Sequence, residues 1–563
     1  MKKVTIIITG MISLSLFFAS CGDFLEPKSQ SEFIPETADQ LNELIISAIP
    51  DPSSSGSFTC GFLDVVSDDV ETLAKYVDPR DPTTDLWYNQ PYVSAVYALY
   101  TWRPGYATYM QSNGYSQTGI YSEVYQKLVY VNASLDYIDK VSGDMAMKNY
   151  VKAQAYTLRA FYYLHLVNIY GVPYTSDRNG PGVPIRTTAA KENRKMVRNT
   201  VGEVYDLVVG DLHNAIALFE ELEPSLQYRQ FRPTLPMALL LLSRAYLYME
   251  NWENAAIYSG KLISDWPRFQ IKNLNDLVND GYSNVHKDAF VSTNENVKRT
   301  QRFYPDFLTY ANTDVIWLYN DAEDLIRLTA QEMYQGRSSR LINNETFATL
   351  THASPGLVDS YDSRDLRLST YLVRDLYNEP DYSNTSSSLT TGKYRAYGKL
   401  QISDDGSGVP STTGNRFLPV QDTRTYGQAL RITEAYLILA EAHAQLGNTQ
   451  KATDALNEIW RRRFSDGNAP ASYATGHDIV ELTHRERRRE LCFEALRWFD
   501  LRRWGMPRVT HNWRELSYGD SQTFVLEQND PGYTFPVPES ILLVNPDLTQ
   551  VPLAGNGSAR QPQ

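Results

Sequence analysis

The sequence predicts a mainly α protein: a tetratricopeptide-like helical-repeat body with a large irregular loop-rich insertion and little β structure. Three observations carry this. Apolar residues recur at three- and four-residue steps over long stretches on both sides of the chain's middle. Small residues fall twelve apart across tight turns in two helix pairs, Ser243 with Ala255 and Ala440 with Ala452, which lets paired helices approach closely. Between about 268 and 425 the helical periodicity gives way to turn residues, aromatics and short apolar runs.

The elements follow in order. Residues 1–20 (MKKVTIIITGMISLSLFFAS) have a basic start at Lys2 and Lys3, an apolar run and small residues before Cys21, the pattern of a lipoprotein signal peptide cut before a lipidated cysteine. Residues 21–35 read as a lipidated tether and 36–550 as the body. Within it, helical repeats are expected at about 121–265 and 426–505, and loop-rich regions at about 72–120 and 269–425. Residues 551–563 form a tail. The periodicity predicts helices over Tyr121 to Lys140, Met147 to Tyr170 and Val201 to Leu222, the last entered through a Thr200–Glu203 capping box. Further helices are expected over Met237 to Met249, from Asn251 to Ser264, then over Tyr426 to Leu446, Thr449 to Phe464 and Thr483 to Trp504.

Composition excludes several function classes. The chain has 563 residues and a formal net charge of −13, which argues against a nucleic-acid binder. Three cysteines cannot staple a chain of this length, and whether Cys60 pairs with Cys492 is open at this level. No segment after the signal approaches the roughly 20 apolar residues of a membrane span, so anchoring rather than spanning is expected. There is no G-x-S-x-G, G-x-x-x-x-G-K-[ST] or H-E-x-x-H, and the eight histidines lack ligand spacing, so no catalytic residue, metal or cofactor is expected. Asp68, Asp69 and Glu71 are the remaining glycosidase-like carboxylates, and Asp404–Asp405–Gly406 lacks the spaced ligands of a calcium loop. The run Arg485 to Glu494 interleaves acids and bases. It predicts an ion-pair network, with Arg487 and Arg497 separating Glu490 from Glu494.

Long ordered stretches resemble one family. They are AQAYTLRAFYYLHLVNIYGVPY (153–174), PGLVDSYDSRDLRL (355–368), RITEAYLILAEAHAQLGN (431–448), RERRRELCFEALRWFDLRRWG (485–505) and FPVPESILLVNPDLTQ (535–550). With the cysteine-terminated signal followed by GDFLEP, they resemble the SusD/RagB outer-membrane nutrient-binding lipoproteins. The resemblance implies a protein without catalytic residues on the outer face of a Gram-negative outer membrane. It also implies an oligosaccharide ligand, or a peptide in some members, and a SusC-like TonB-dependent transporter as partner. A helical-repeat scaffold without its own ligand, and a surface glycoside hydrolase, are the alternatives from other classes.

A sugar site needs flat aromatic rings for its C–H faces and amides or guanidinium groups for its hydroxyls. The segment from Tyr76 to Tyr115 is dense in aromatics, with Tyr76, Trp87, Tyr88 and Trp102 beside Asn89. The resemblance places a second binding loop at about 334–347, holding Tyr334, Arg340 and Asn343. These residues are the ligand-binding candidates, and Cys21 is the lipidation site.

Overall fold

The structure, a computed structural model, describes residues 35–50, 60–72, 87–88, 90–114, 120–190, 196–228, 231–279, 289–290, 307–321, 332–336, 346–349, 351–376, 378–379, 388–389, 393–395, 426–514, 520–553 and 557–563. Helix α1 (Ala38–Ala48) starts at a reciprocal capping box between Thr37 and Gln40. Two short strands follow, β1 (Val70–Thr72) and β2 (Trp87–Tyr88). The next segment is helical where loops are expected, in α2 (Gln90–Tyr100) and α3 (Tyr106–Ser112). The apolar positions of α2, Val93, Val96 and Tyr100, lie one helical face apart and are buried, a period hidden by the density of tyrosines.

The body then follows its periodicity. Helix α4 (Ile120–Tyr137) leads to α5 (Met145–Tyr170), which is buried on nearly every side from Tyr150 onward and stops at Gly171. Helix α6 (Val201–Glu220) carries the Thr200–Glu203 capping box in both directions. Helices α7 (Leu235–Tyr248) and α8 (Trp252–Asp265) form the first repeat-like pair, and Ser243 and Ala255 are fully buried where the two meet.

Strand β3 (Val315–Asp321) begins the described core of the insertion. Short strands β4 (Glu332–Gly336), β5 (Thr346–Thr349) and β6 (Thr351–Ala353) follow. The chain returns along β7 (Tyr426–Arg431), antiparallel to β3, and turns directly into α9 (Ile432–Gln445). Residues 426–431 are therefore a strand rather than the first turns of a helix. Their backbone donors and acceptors are taken by β3, and the helix begins only where that ladder ends. Helix α10 (Thr449–Trp460) pairs with α9, again with Ala440 and Ala452 fully buried. Because α9 also packs on α8, the second pair stacks directly on the first, and the insertion loops out between them.

The expected helix over Thr483 to Trp504 is two helices, α11 (Ile479–Leu491) and α12 (Arg497–Arg503). Cys492 is extended, and Phe493 and Ala495 adopt φ of 57° and 59°, conformations costly for side chains with a Cβ. The break is held from outside, for the Ala495 amide donates to Asp64 Oδ1 at 3.1 Å. Strands β8 (Val509–Trp513) and β9 (Gln522–Leu526) form a hairpin, and the tail packs Tyr533, Phe535 and Val537 into the core before α13 (Glu539–Val544). Cys60 and Cys492 are both buried and are not joined in a disulfide.

The charged run on α11 points inward. Glu490 is fully buried and receives Arg367 at 3.0 Å, Arg431 at 3.1 Å, Arg463 at 2.9 Å and the Tyr371 hydroxyl at 2.8 Å. Arg431 continues to Asp314 at 2.8 Å and Glu494 at 2.6 Å, and Arg367 to Asp365 and Glu486. Burial raises the Glu486 carboxyl, but Arg367 and Arg489 outweigh it and bring it down to about 2. Arg431 is thus the bridge between Glu490 and Glu494. Arg487 instead meets Asp500, and Arg497 meets Asp68. The expected separators fail because α11 ends between the two glutamates, so i, i+4 spacing no longer places them on one face.

Glu490→Ala leaves three buried guanidinium groups short of an acceptor. It is expected to lower unfolding stability by about 3–5 kcal/mol, the usual cost of removing one partner from a buried charge cluster. Denaturant unfolding against the exposed control Glu253→Ala checks this, and a loss under 1 kcal/mol would refute it.

Candidate ligand-binding site

The aromatic segment singled out by composition and the loop placed by the resemblance meet in one small sheet. Strand β2 pairs antiparallel with β4, Trp87 opposite Gln335 and Tyr88 opposite Tyr334. Strand β5 pairs with the other side of β4, Tyr334 opposite Ala348 and Gln335 opposite Phe347, and a register shift lies between Glu332 and Tyr334. Three of the eight ligand-binding candidates, Trp87, Tyr88 and Tyr334, are thereby brought to adjacent register positions from distant parts of the chain. Gln335, which composition does not single out, joins them as the register partner of Trp87. Only a long-range strand pairing reveals it.

The path into this sheet is clamped. Strand β1 pairs with β6, so the chain entering the first segment and the chain leaving the second are tied together. Ser354 donates its amide to the Asp69 carbonyl and its hydroxyl to the Asp68 carbonyl, both at 2.7 Å. The two acidic side chains turn to the helical body. Asp68 takes two hydrogen bonds from Arg497, at 2.7 and 2.8 Å, and Asp69 takes one from Arg488 at 2.7 Å. Burial raises the Asp68 carboxyl, but the paired arginines outweigh it and hold it below the usual carboxylate range. For Asp69, which is fully enclosed, burial wins and the carboxyl is pushed up. These acids are committed to guanidinium partners and orient the base of the sheet.

Trp102 lies elsewhere. It is 6% exposed, donates Nε1 to the Val66 carbonyl at 2.9 Å and stacks on His511 at 4.2 Å between ring centroids. His511 is sandwiched, with Tyr100 on its other face at 3.9 Å, and its ring nitrogens meet the carbonyls of Tyr100 and Ser67. Trp102 therefore packs rather than offering an open platform. Tyr97 and Tyr100 of the same stretch are also spent on packing, against Trp513. Tyr76, Asn89, Arg340 and Asn343 lie outside the described residues, as do Cys21 and Asp404. Among the described residues no group of three or more His, Cys, Asp or Glu side chains is placed to hold a metal ion.

Trp102→Ala is expected to destabilise the fold by about 3–5 kcal/mol, the cost of deleting a buried large aromatic. A thermal melt reads it, and an unchanged melting temperature would contradict the packing role.

Two family models match the chain. One, described as starch-binding and associating with the outer membrane, covers residues 23–247, and the other, the SusD family, covers residues 333–553. A curated relative, SusD-like protein P2 of Formosa agariphila, is 22% identical over 405 residues, 69% of this chain and 71% of that protein. Among solved structures, a SusD superfamily protein of Bacteroides vulgatus has a TM-score of 0.61 at 18% identity, covering 92% of this chain and 99% of the other. A SusD-like carbohydrate binding protein of the same organism has a TM-score of 0.56 at 18% identity, covering 93% and 99%. With a SusD-type model matched in each half and this fold shared along nearly its whole length, the chain belongs to the SusD family.

Proposed function

We propose that the protein is a cell-surface lipoprotein that captures an oligosaccharide and delivers it to a SusC-like TonB-dependent transporter. The observation that carries this reading is the pairing of Trp87–Tyr88 with Tyr334–Gln335 in one sheet clamped to the helical body. Trp87 is paired with Gln335, a ring opposite an amide, and Tyr88 with Tyr334, and these are the residue types a sugar needs for its C–H faces and its hydroxyls. The family model described as starch-binding makes an α-glucan the first ligand to test.

Cys21 carries the lipid in this reading. Among the described residues no helix is long and apolar enough to cross a membrane, which agrees with attachment through a lipid. A tether matters mechanically, because holding a binder beside an import channel raises the local substrate concentration there. Cys21→Ala is expected to abolish labelling by a radiolabelled fatty acid and release the protein from the outer-membrane fraction. Persistent labelling would refute lipidation at this residue.

Trp87→Ala and Tyr88→Ala are expected to weaken binding of maltoheptaose, or of the tightest ligand in an oligosaccharide panel. Losing one stacking ring removes about 1–3 kcal/mol, roughly a 5- to 150-fold loss in affinity. Calorimetric titration and thermal melts on the same variants separate this from a packing role, in which stability rather than affinity falls. Unchanged affinity and unchanged stability would refute the site, and release of hydrolysed product would replace binding with catalysis.

A further inference from the structure

Helix α4 carries apolar groups on both of its sides. Its inner face, with Val124, Leu128 and Val131, belongs to the core. On the outer face Gln126, Tyr130, Ala133 and Tyr137 follow at steps of four, three and four, and Val129 borders the row. Val129, Tyr130 and Tyr137 are 39%, 41% and 37% exposed. The outer face of a surface helix is ordinarily polar, so a row of rings there calls for a cover.

The first described residues lead to that row. The Ser142 amide donates to the Glu36 carbonyl at 2.9 Å, and the Ala38 amide donates to the Ser142 carbonyl at 2.8 Å. Gly143 permits this approach, because a Cβ there would come within 2.7 Å of the Ala38 Cβ. The resulting bridge between Thr37 and Ser142 is parallel. Followed back from Thr37, the chain therefore heads toward the residues that precede Ser142, which are Lys140 and the end of α4. Pro35, the first described residue, is buried.

The seven residues before Pro35 are KSQSEFI (28–34), with Phe33 and Ile34 nearest to α4. Their length fits the row. From Gln126 to Tyr137 the helix rises about 16 Å, and five residues of extended chain cover the same distance. Phe33 set against Tyr137 thus brings Lys28 to the Gln126 end. Glu32, next to Phe33, then comes within reach of the Lys140 ammonium, which lies 5.1 Å from the Tyr137 ring centroid.

We propose that residues 28–34 dock along the outer face of α4, with Phe33 packed on Tyr137 and the chain continuing over Tyr130. Because the segment is already held at Pro35 and Glu36, it docks at high effective concentration and a small apolar contact suffices. One consequence rests on the lipidation of Cys21, although the docking itself does not. Only residues 21–27 then remain as free linker, at most about 25 Å, so the α4 side of the body stays close to the membrane.

Photo-crosslinking of the whole protein with p-benzoylphenylalanine at position 33 tests the docking. The expected adduct is intramolecular and maps to the peptide holding residues 126–137. An adduct elsewhere in the chain, an adduct with a second molecule, or none would overturn the proposal. Limited trypsin digestion gives an independent readout, because cleavage after Lys28 follows the population of the undocked segment. Phe33→Ser, and separately Tyr130→Ser combined with Tyr137→Ser, are each expected to speed that cleavage about tenfold with the thermal midpoint unchanged. Should the double substitution lower the midpoint, Phe33→Ser decides, since it leaves the described body untouched. A wild-type cleavage rate equal to that of Phe33→Ser would overturn the proposal.

Discussion

One carboxylate, that of Glu490, constrains the C-terminal half of the molecule. It sits on α11 with no exposure and accepts from three guanidinium groups that arrive from different directions. Arg463 comes from the end of α10, Arg431 from the junction of β7 and α9, and Arg367 from the insertion. Stripped of water, each of these charges is tolerable only while its partners are present. Such a cluster adds little net stability over a well-packed apolar core, but any misplacement of an element leaves a charge stranded. The network therefore acts as a registration device. It fixes where the irregular insertion joins the stacked helix pairs.

The same logic extends outward to the candidate site. Arg488 and Arg497, on α11 and α12, hold Asp69 and Asp68. The backbone of that loop holds Ser354, and the β1–β6 pair ties the chain before β2 to the chain after β5. The break between α11 and α12 belongs to this arrangement. A continuous helix would carry Arg497 along the axis of α11, whereas the turn at Phe493 and Ala495 redirects the chain before it. Strained backbone at those two positions is offset by contacts such as the Asp64 hydrogen bond to Ala495. Rigid helices thus carry the short strands of the candidate site, a common division of labour.

The helical body was legible because its signals are local. The Thr200–Glu203 box, the stop at Gly171 and the small residues at Ser243, Ala255, Ala440 and Ala452 are each read within one turn or one helix pair. Where partners are distant, local rules failed. Residues 426–431 take their conformation from β3, more than a hundred positions earlier. Arg431, not Arg487 or Arg497, joins Glu490 to Glu494, since the helix that would have set their spacing had ended. Aromatic density singled out Trp87 and Tyr88, and the resemblance singled out Tyr334; the strand pairing brings the three to adjacent register positions. Aromatic density equally flagged Trp102, whose partners His511 and Val66 only the folded chain supplies. Density reports ring content, and rings serve cores and platforms alike.

The central proposal is that the clamped sheet of β2, β4 and β5 forms part of one oligosaccharide site. Hydrogen–deuterium exchange on the mature protein, with and without a saturating oligosaccharide identified by titration, tests it most directly. The account predicts that peptides containing residues 87–88 and 332–336 gain protection together, with the ligand recovered intact. Protection of one segment without the other, or of neither, would contradict it.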